Sequence, residues 1–189
     1  MERRTSPPMP GLGAQERSLD AMIRVDHAGE YGAVQIYRGQ RAVFDAISGK
    51  QHAARVIAEM EEGEQEHLKT FDRMIAERGV RPTVMAPLWR VAGFGLGAVT
   101  ALMGEQAAHA CTEAVEDVIE EHYAAQARAL DASGADPELK DLVERFREEE
   151  LAHRDTAIEQ GAHDAPAYPF LTAVIKFGCR AAIRISEKI

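Results

Sequence analysis

Apolar residues recur every three or four positions along most of the chain, whereas no stretch shows the strict alternation of a half-buried β-strand. The first predicted helix starts at Ser18, which can cap it, and runs to about Ile47. A second helix is predicted over about residues 51 to 77, and Gly79 closes it. This part of the sequence therefore predicts an antiparallel helical hairpin.

The rest of the chain repeats this organisation. A third helix is predicted from about residue 104 to Leu130, and Asp136 caps a fourth, with Pro137 at its first helical position. A last, amphipathic helix is predicted over about residues 170 to 187. The connection over about residues 79 to 104 is too long for a simple turn, and one such crossover distinguishes ferritin-like bundles from up-down ones.

The predicted fold is thus an all-α, ferritin-like four-helix bundle with one long crossover and additional hydrophobic or amphipathic helices. The 189 residues are most simply one domain. The predicted boundaries are 1–17 for a flexible N-terminal tail and 18–189 for the domain. The domain is divided into a first hairpin, an apolar crossover, a second hairpin and an amphipathic C-terminal helix, at 18–78, 79–104, 105–163 and 166–189.

The acidic residues and histidines on the helical seams form a pattern that occurs twice. A lone glutamate precedes a Glu-x-x-His pair by 34 residues, and the whole pattern recurs 86 positions later. Residues i and i+3 share a helix face, so the two members of each pair can bind one metal ion. Such a set is typical of a carboxylate-bridged dinuclear centre in a four-helix bundle. The predicted ligands are Glu30, Glu64, His67, Glu116, Glu150 and His153.

The composition of this set bears on the metal. Four carboxylates with only two imidazoles suit iron or manganese better than zinc or copper, and the residues alone leave iron and manganese open. By analogy with other bundles, Glu64 and Glu150 are the predicted bridges. A single Glu-x-x-His would more simply be a solvated surface pair, but two copies with matched spacing favour ligands.

Four further residues are candidates for supporting the centre. Tyr37 and Tyr123 each follow a lone glutamate by seven positions. They could donate to a ligand carboxylate or pass protons and electrons; equally, they could be core aromatics with a satisfied hydroxyl. Asp26 lies one turn before Glu30 and is expected to orient a ligand histidine. His122 could join a relay through Tyr123, although an ordinary polar role is the simpler interpretation.

Charge and cysteine content exclude several classes of protein. The net charge of −9 argues against a nucleic-acid partner. Cys111 and Cys179 form no C-x-x-C pair, which excludes a rubredoxin-type iron site and argues against a disulfide framework.

Two segments predict contact with a membrane surface. Fourteen uncharged residues follow Arg90, fewer than the roughly 20 that a spanning helix needs. The last helix carries a basic row beside an apolar face, so it can lie on an anionic bilayer, or it can be a packed fifth helix with a solvated face. The row consists of Lys176, Arg180, Arg184 and Lys188.

Several short runs resemble the demethoxyubiquinone hydroxylases, flavin-independent di-iron enzymes of ubiquinone biosynthesis. The resemblance covers about residue 20 to the C-terminus. The runs are Asp26-His27-Ala28-Gly29-Glu30-Tyr31-Gly32-Ala33, Arg81-Pro82-Thr83 with Pro87-Leu88-Trp89, Cys111-Thr112, Ala114-Val115-Glu116, Glu149-Glu150-Leu151 with His153, and Gly178-Cys179-Arg180. The resemblance implies the same six metal ligands, two iron ions, O2 and NADH as co-substrates, and no flavin.

The implied reaction is the O2-dependent ring hydroxylation of 2-polyprenyl-3-methyl-6-methoxy-1,4-benzoquinol, or demethoxyubiquinol. The resemblance also implies a peripheral protein on the cytoplasmic face of a bacterial inner membrane and a lipid-binding partner from ubiquinone biosynthesis; homo-oligomerisation stays open. Two rival interpretations remain. One is a ferritin-like iron oxidase or store, and the other is a helical interaction module without metal.

Overall fold

A computed structural model describes residues 12–189, and among these residues no β-strand occurs. Six α-helices and one short 3-10 turn at Ala162–Asp164 account for most of them. The helices are α1 (Leu12–Phe44), α2 (Gln51–Arg78), α3 (Ala86–Leu102), α4 (Glu105–Ser133), α5 (Pro137–Glu159) and α6 (Tyr168–Ser186). The all-α prediction is confirmed.

The start of α1 differs from the expectation. Ser18 does not cap this helix, because the helix already begins at Leu12. The preceding residues Leu12, Ala14, Gln15, Glu16 and Arg17 are good helix formers, so they extend the helix beyond the serine. The first part of the predicted flexible tail, residues 1–11, lies outside the described residues.

Two other helix ends follow the local signals in the sequence. Gly79 adopts the left-handed conformation that favours glycine, with φ of 67°, and its N–H donates to the Ile75 carbonyl at the end of α2. At the start of α5, the Asp136 carboxylate accepts a hydrogen bond from the Leu139 N–H at 3.0 Å, and Pro137 is the first helical residue.

Helices α1, α2, α4 and α5 form the bundle, and α3 is the crossover between its two hairpins. Two apolar clusters fill opposite ends of the bundle. One includes Ile23, Phe71, Leu130 and Phe146, and the other includes Phe44, Ile57, Met60, Ala101 and Ala108. The predicted metal ligands lie between these two clusters along the bundle axis.

Helix α3 packs very closely against α1, and glycines on both helices make this approach feasible. A Cβ atom at Gly39 would collide with the Phe94 carbonyl oxygen, and one at Gly97 would collide with the Ile36 carbonyl oxygen. A Cβ at Gly95, on the same helix, would meet no atom within 4 Å. The contact therefore depends on particular glycines and not on the glycine content of α3.

We expect Gly97→Ala to lower the free energy of unfolding by about 1–3 kcal/mol, because the new methyl group must push α3 away from α1. Gly95→Ala is the matched control, and it should be neutral or stabilising by up to about 1 kcal/mol through helix propensity. Urea unfolding of both variants measures the difference. Equal stability of the two variants would show that the close packing is not required.

Helix α3 is also the one described helix that is long and apolar enough to cross a membrane, over Ala86–Met103. This criterion rests on length and composition alone, which core helices of soluble proteins also satisfy. Only 17% of that segment is buried, because one face packs on α1 while Val91 and Leu102 remain 70% and 71% exposed. Helix α3 therefore presents an uncovered apolar face.

Helix α6 packs on α4, as expected of the packed fifth helix that was one of the two interpretations of its basic row. Lys176 donates to Asp117 of α4 at 2.6 Å, and Arg180 donates to Glu121 at 2.8 Å. Two of the four cations are thus paired with acidic side chains of the bundle, while Arg184 and Lys188 stay exposed. The outward surface of α6 is instead apolar, with Phe170 and Phe177 74% and 76% exposed.

Candidate metal centre

The six predicted ligands converge in the middle of the bundle, and five of them are at most 1% exposed, while His153 is half-buried. They form two groups whose candidate ligand atoms lie within 4.8 Å of one another. One group contains Glu30, Glu64, His67 and Glu150, and the other contains Glu64, Glu116, Glu150 and His153. Glu64 and Glu150 belong to both groups, which is the arrangement expected of two bridging carboxylates.

The group contains more unpartnered buried polar atoms than the interior of a folded protein normally tolerates. His67 Nδ1 lies 3.1 Å from Glu150 Oε1, yet neither atom has a hydrogen-bond partner of acceptable geometry. The other buried atoms of these six residues that lack a partner are Glu30 Oε2, Glu64 Oε2, Glu116 Oε2 and Glu150 Oε2. Hard oxygen ligands and imidazole nitrogens left unsatisfied in this way fit two divalent cations.

The electrostatics of the metal-free group lead to the same conclusion. Burial raises the pKa of Glu64, and the neighbouring carboxylates of Glu150 and Glu116 raise it further. Burial also raises the pKa values of Glu116 and Glu150. For His67, burial lowers the pKa, but contacts with Glu150 and Glu30 outweigh it and raise the pKa to about 12. Without metal, the group therefore retains protons that cations would replace.

The two tyrosines hold the lone glutamates in a reciprocal manner. Tyr37 of α1 donates to Glu116 Oε1 on α4 at 2.6 Å, and Tyr123 of α4 donates to Glu30 Oε1 on α1. Burial raises the pKa of both phenols well above the usual value, and Glu116 and Glu30 add to this, so both are neutral donors. The expected contact with a carboxylate is thus present, and it leaves the second oxygen of each glutamate unpartnered.

The histidine-orienting role expected of Asp26 belongs to a residue that the sequence analysis missed. Glu149 Oε2 lies 2.6 Å from His67 Nε2, so it fixes the ring while Nδ1 faces the carboxylates. Glu149 stands in one of the runs that resemble the family, but no role followed from it, because it lies 82 positions from His67 and has acidic neighbours on both sides. In the sequence repeat, Gly63 corresponds to Glu149, and a Cβ atom at Gly63 would lie only 3.0 Å from His153 Nε2.

Asp26 belongs instead to a polar group at the side of the centre. Its carboxylate accepts a hydrogen bond from Gln126 at 2.8 Å and lies 3.3 Å from His122 Nε2. Burial raises the pKa of Asp26, against the lowering effect of His122. His122 also borders a cavity of about 380 Å³, so this group connects the surface with the neighbourhood of Tyr123. His27 pairs with Asp72 at 2.9 Å, away from the ligands.

An apolar cavity of about 390 Å³ lies between α1, α3, α4 and α6. Its lining includes Gly29 and Val115, the chain neighbours of Glu30 and Glu116, but none of the six candidate ligands, so a layer of α1 and α4 backbone separates it from the carboxylate group. Trp89 of α3 lines the cavity and donates to Ser186 Oγ of α6 at 3.1 Å. The size falls within the range of cavities that hold small organic ligands.

The bundle, its single crossover and the doubled Glu-x-x-His group together define a ferritin-like protein with a candidate dinuclear metal centre. Comparisons with known proteins then narrow the class. The chain matches the model of the family described as ubiquinone biosynthesis protein COQ7 over residues 17–186, and it belongs to that family.

Relatives from three kingdoms support this assignment. The chain is 47% identical over 182 residues to the 3-demethoxyubiquinol 3-hydroxylase of Rhodospirillum rubrum. This alignment covers 96% of this chain and 83% of that protein. It is 48% identical over 176 residues to the human mitochondrial NADPH-dependent 3-demethoxyubiquinone 3-hydroxylase, covering 91% and 78%. The mitochondrial 5-demethoxyubiquinone hydroxylase of Saccharomyces cerevisiae is 41% identical over 189 residues, covering 93% and 80%.

Proposed function

We propose that this protein hydroxylates the ring of demethoxyubiquinol with O2 as a step of ubiquinone biosynthesis. The observation that carries the proposal is the apolar cavity whose wall includes the chain neighbours of Glu30 and Glu116, two members of the carboxylate and histidine group. A ferritin-like iron store has no need of such a cavity, whereas a hydroxylase must hold an apolar ring next to its metal. The names of the relatives support the substrate class.

The residues of the centre would hold two iron ions. Glu30 and His67 would bind one ion, Glu116 and His153 the other, and Glu64 and Glu150 would bridge them. When bound, the iron pair would supply the activation of O2. Manganese fits the same oxygen-rich ligands, so the metal content of the active protein must be measured.

The protein's own side chains would exclude water and orient the reactants. The apolar wall of the cavity would hold the ring beside Glu30 and Glu116 and keep bulk water away from it. Tyr37 and Tyr123 would keep these glutamates in position through their hydroxyl groups. His122, which lies 3.3 Å from Asp26, would carry a proton from the surface towards the neighbouring Tyr123.

The balance of the reaction requires a reductant. One oxygen atom of O2 enters the ring and the other leaves as water, with two electrons supplied by NADH and no flavin. The mammalian relatives carry names that state dependence on NADPH, so both nicotinamides belong in the assay.

The decisive experiment supplies iron-loaded protein with a short-chain demethoxyquinone, reduced nicotinamide and isotopically heavy O2. Mass spectrometry should detect one heavy oxygen on the product ring. Absence of heavy product, together with rapid oxidation of many irons per chain, would contradict the proposal and favour the ferritin-like alternative.

We further propose that the protein is peripheral to a bilayer, on the cytoplasmic face of a bacterial inner membrane. A polyprenyl substrate resides in lipid, and the exposed apolar faces of α3 and α6 flank the cavity that would receive its ring. Because Lys176 and Arg180 pair with acidic residues of α4, insertion of apolar side chains would dominate over attraction to anionic lipids.

We expect the protein to bind neutral phosphatidylcholine vesicles and to bind them nearly as well at high salt. Phe177→Ser should weaken partitioning by about tenfold, since burying a Phe side chain contributes about 1.5–3 kcal/mol. Ile47→Ser, at the turn between α1 and α2, is the matched control for an exposed apolar residue. Vesicle sedimentation measures both variants. Binding that requires anionic lipid, or that Ile47→Ser weakens equally, would contradict this docking mode.

The same experiment shows whether a bilayer or a protein covers the apolar faces of α3 and α6. A lipid-binding partner from ubiquinone biosynthesis or a second copy of this chain would cover the same apolar side chains. If the protein stays off vesicles and forms oligomers that Phe177→Ser dissociates, a protein partner replaces the bilayer in this proposal.

A further inference from the structure

The glycines on the wall of the apolar cavity are of two kinds. Gly93 is needed for packing, since a Cβ there would lie 2.9 Å from the Gly32 carbonyl oxygen. Gly29, Gly32 and Gly178 also line the cavity, but a Cβ at any of them would meet no atom within 4 Å. Their lack of a side chain therefore has no packing reason within the described part of the chain.

Each of these three glycines also has a helix conformation that alanine would adopt without strain. They lie inside α1 and α6, and none has a positive φ. A glycine in a helix interior destabilises the helix relative to alanine, because it loses more backbone freedom on folding. What these three glycines provide is free volume in the cavity, because no side chain projects into it from their positions.

Their positions divide them between the floor and the mouth of the cavity. Gly29 and Gly32 are half-buried and lie on either side of Glu30, so they form the wall next to the ligand group. Gly178 is exposed and lies between the ion-paired Lys176 and Arg180, so it forms the rim on α6.

We infer that Gly29 and Gly32 set the space available to the reacting ring, and that Gly178 sets the opening through which its chain leaves. The inference rests on the proposed function for the identity of the ring, a substituted benzoquinol. It makes these residues determinants of specificity: a side chain on the floor should exclude the ring, whereas one on the rim should act mainly on long prenyl chains.

Binding can be measured without turnover, because Trp89 is the sole tryptophan of the chain and lines this cavity. A quinone bound beside the indole quenches its fluorescence. The probe is a demethoxyquinone with a one-unit prenyl chain, titrated into the metal-loaded protein. We expect Gly32→Leu to raise the Kd at least about tenfold, as expected when a filled pocket rejects its ligand.

The matched control is Gly95→Leu on α3, since Gly95 faces open space outside this cavity. It should bind the probe as the wild-type protein does. Gly32→Ala adds a second readout: its melting temperature should rise through helix propensity while its affinity for the probe falls. A merely structural glycine would lose stability and affinity together.

The rim is tested with a second probe that carries a long prenyl chain. Gly178→Leu should weaken the long-chain probe more than the one-unit probe, while Gly32→Leu weakens both. Unchanged affinity in Gly32→Leu, or equal effects of Gly178→Leu on both probes, would overturn the respective assignment. Absence of quenching in the wild-type protein would overturn the inference as a whole. Binding without any heavy-oxygen product would instead refute the proposed hydroxylation and leave this inference standing.

Discussion

Replacing Glu150 with alanine is expected to abolish turnover and to remove both metal ions from the protein. Glu150 is the buried carboxylate whose two oxygens are both unpartnered, and it belongs to both ligand groups. Its loss would remove one of the two bridging carboxylates and hence a ligand from each ion, and His67 would lose its 3.1 Å contact. Metal analysis after anaerobic loading with ferrous iron and gel filtration measures the occupancy.

Glu116→Ala provides the contrast, because Glu116 belongs to only one group. This variant should also lose turnover, since hydroxylation requires the complete pair, but it should retain about one ion per chain. Glu149→Gln is the milder control, expected to lower metal affinity by about 10–100-fold through the orientation of His67. Equal occupancy in Glu150→Ala and the wild-type protein would refute the bridging assignment.

The second large effect concerns stability without metal. Addition of ferrous iron at 100 times its Kd should stabilise the folded protein by about 2.7 kcal/mol per site, provided that the unfolded chain does not bind it. The physical reason is the group of unpartnered buried carboxylate oxygens, which cations would satisfy. Differential scanning calorimetry of chelated and reloaded protein measures this shift, and an unchanged melting temperature would contradict the site.

The metal-free protein should also become less stable as the pH rises from 6.5 to 9. The pKa of His67, raised from 6.5 to about 12, means that in this range the folded state holds a proton that the unfolded state has lost. The raised pKa values of Glu64, Glu116 and Glu150 act in the same direction from about pH 4.5 upwards. Each additional bound proton corresponds to about 1.4 kcal/mol of lost stability per pH unit.

Buried His109 does not contribute in this window. Burial lowers its pKa to about 4, so the effect of His109 on stability is confined to pH values below 6.5. The metal-loaded protein should show a much flatter pH profile, because the cations have already displaced the protons. Parallel profiles for the two forms would show that the ligand group is not the source of the pH dependence.

The convergence of the six candidate ligands could be predicted from the sequence, because helical spacing determines which side chains share a face. A residue and its i+3 neighbour share a face, and matched arm lengths bring both hairpins to one level. The same spacing indicated that Tyr37 and Tyr123 could donate to a ligand carboxylate, but not that each donates to the glutamate on the other helix.

Features that depend on contacts between distant segments could not be predicted in this way. Whether Lys176 faces solvent or Asp117 depends on how α6 is rotated against α4. The spacing of the basic residues along the sequence is the same for both rotations, so it cannot distinguish them. Asp26 was expected near a ligand histidine from its position on α1, but the rotation of that helix directs it towards Gln126. The cavity required α3 and α6 to be placed before it could be recognised.

The start of α1 shows a different limit. Ser18 is a good capping residue, but capping contributes only about 1 kcal/mol, and several good helix formers precede it. A capping signal of this size does not fix the start of a helix when the residues before it also favour the helical conformation.

Each of the two ligand groups takes three residues from one hairpin and the fourth from the other, Glu150 in the first group and Glu64 in the second. A hairpin paired with an identical copy of itself would therefore offer the same set twice. The repeat of 86 residues is what duplication and fusion of one hairpin-encoding segment would leave in the sequence. Glu149 and Gly63 then mark where the two halves have diverged, so that a once symmetrical homodimer has become a single chain with two unlike halves.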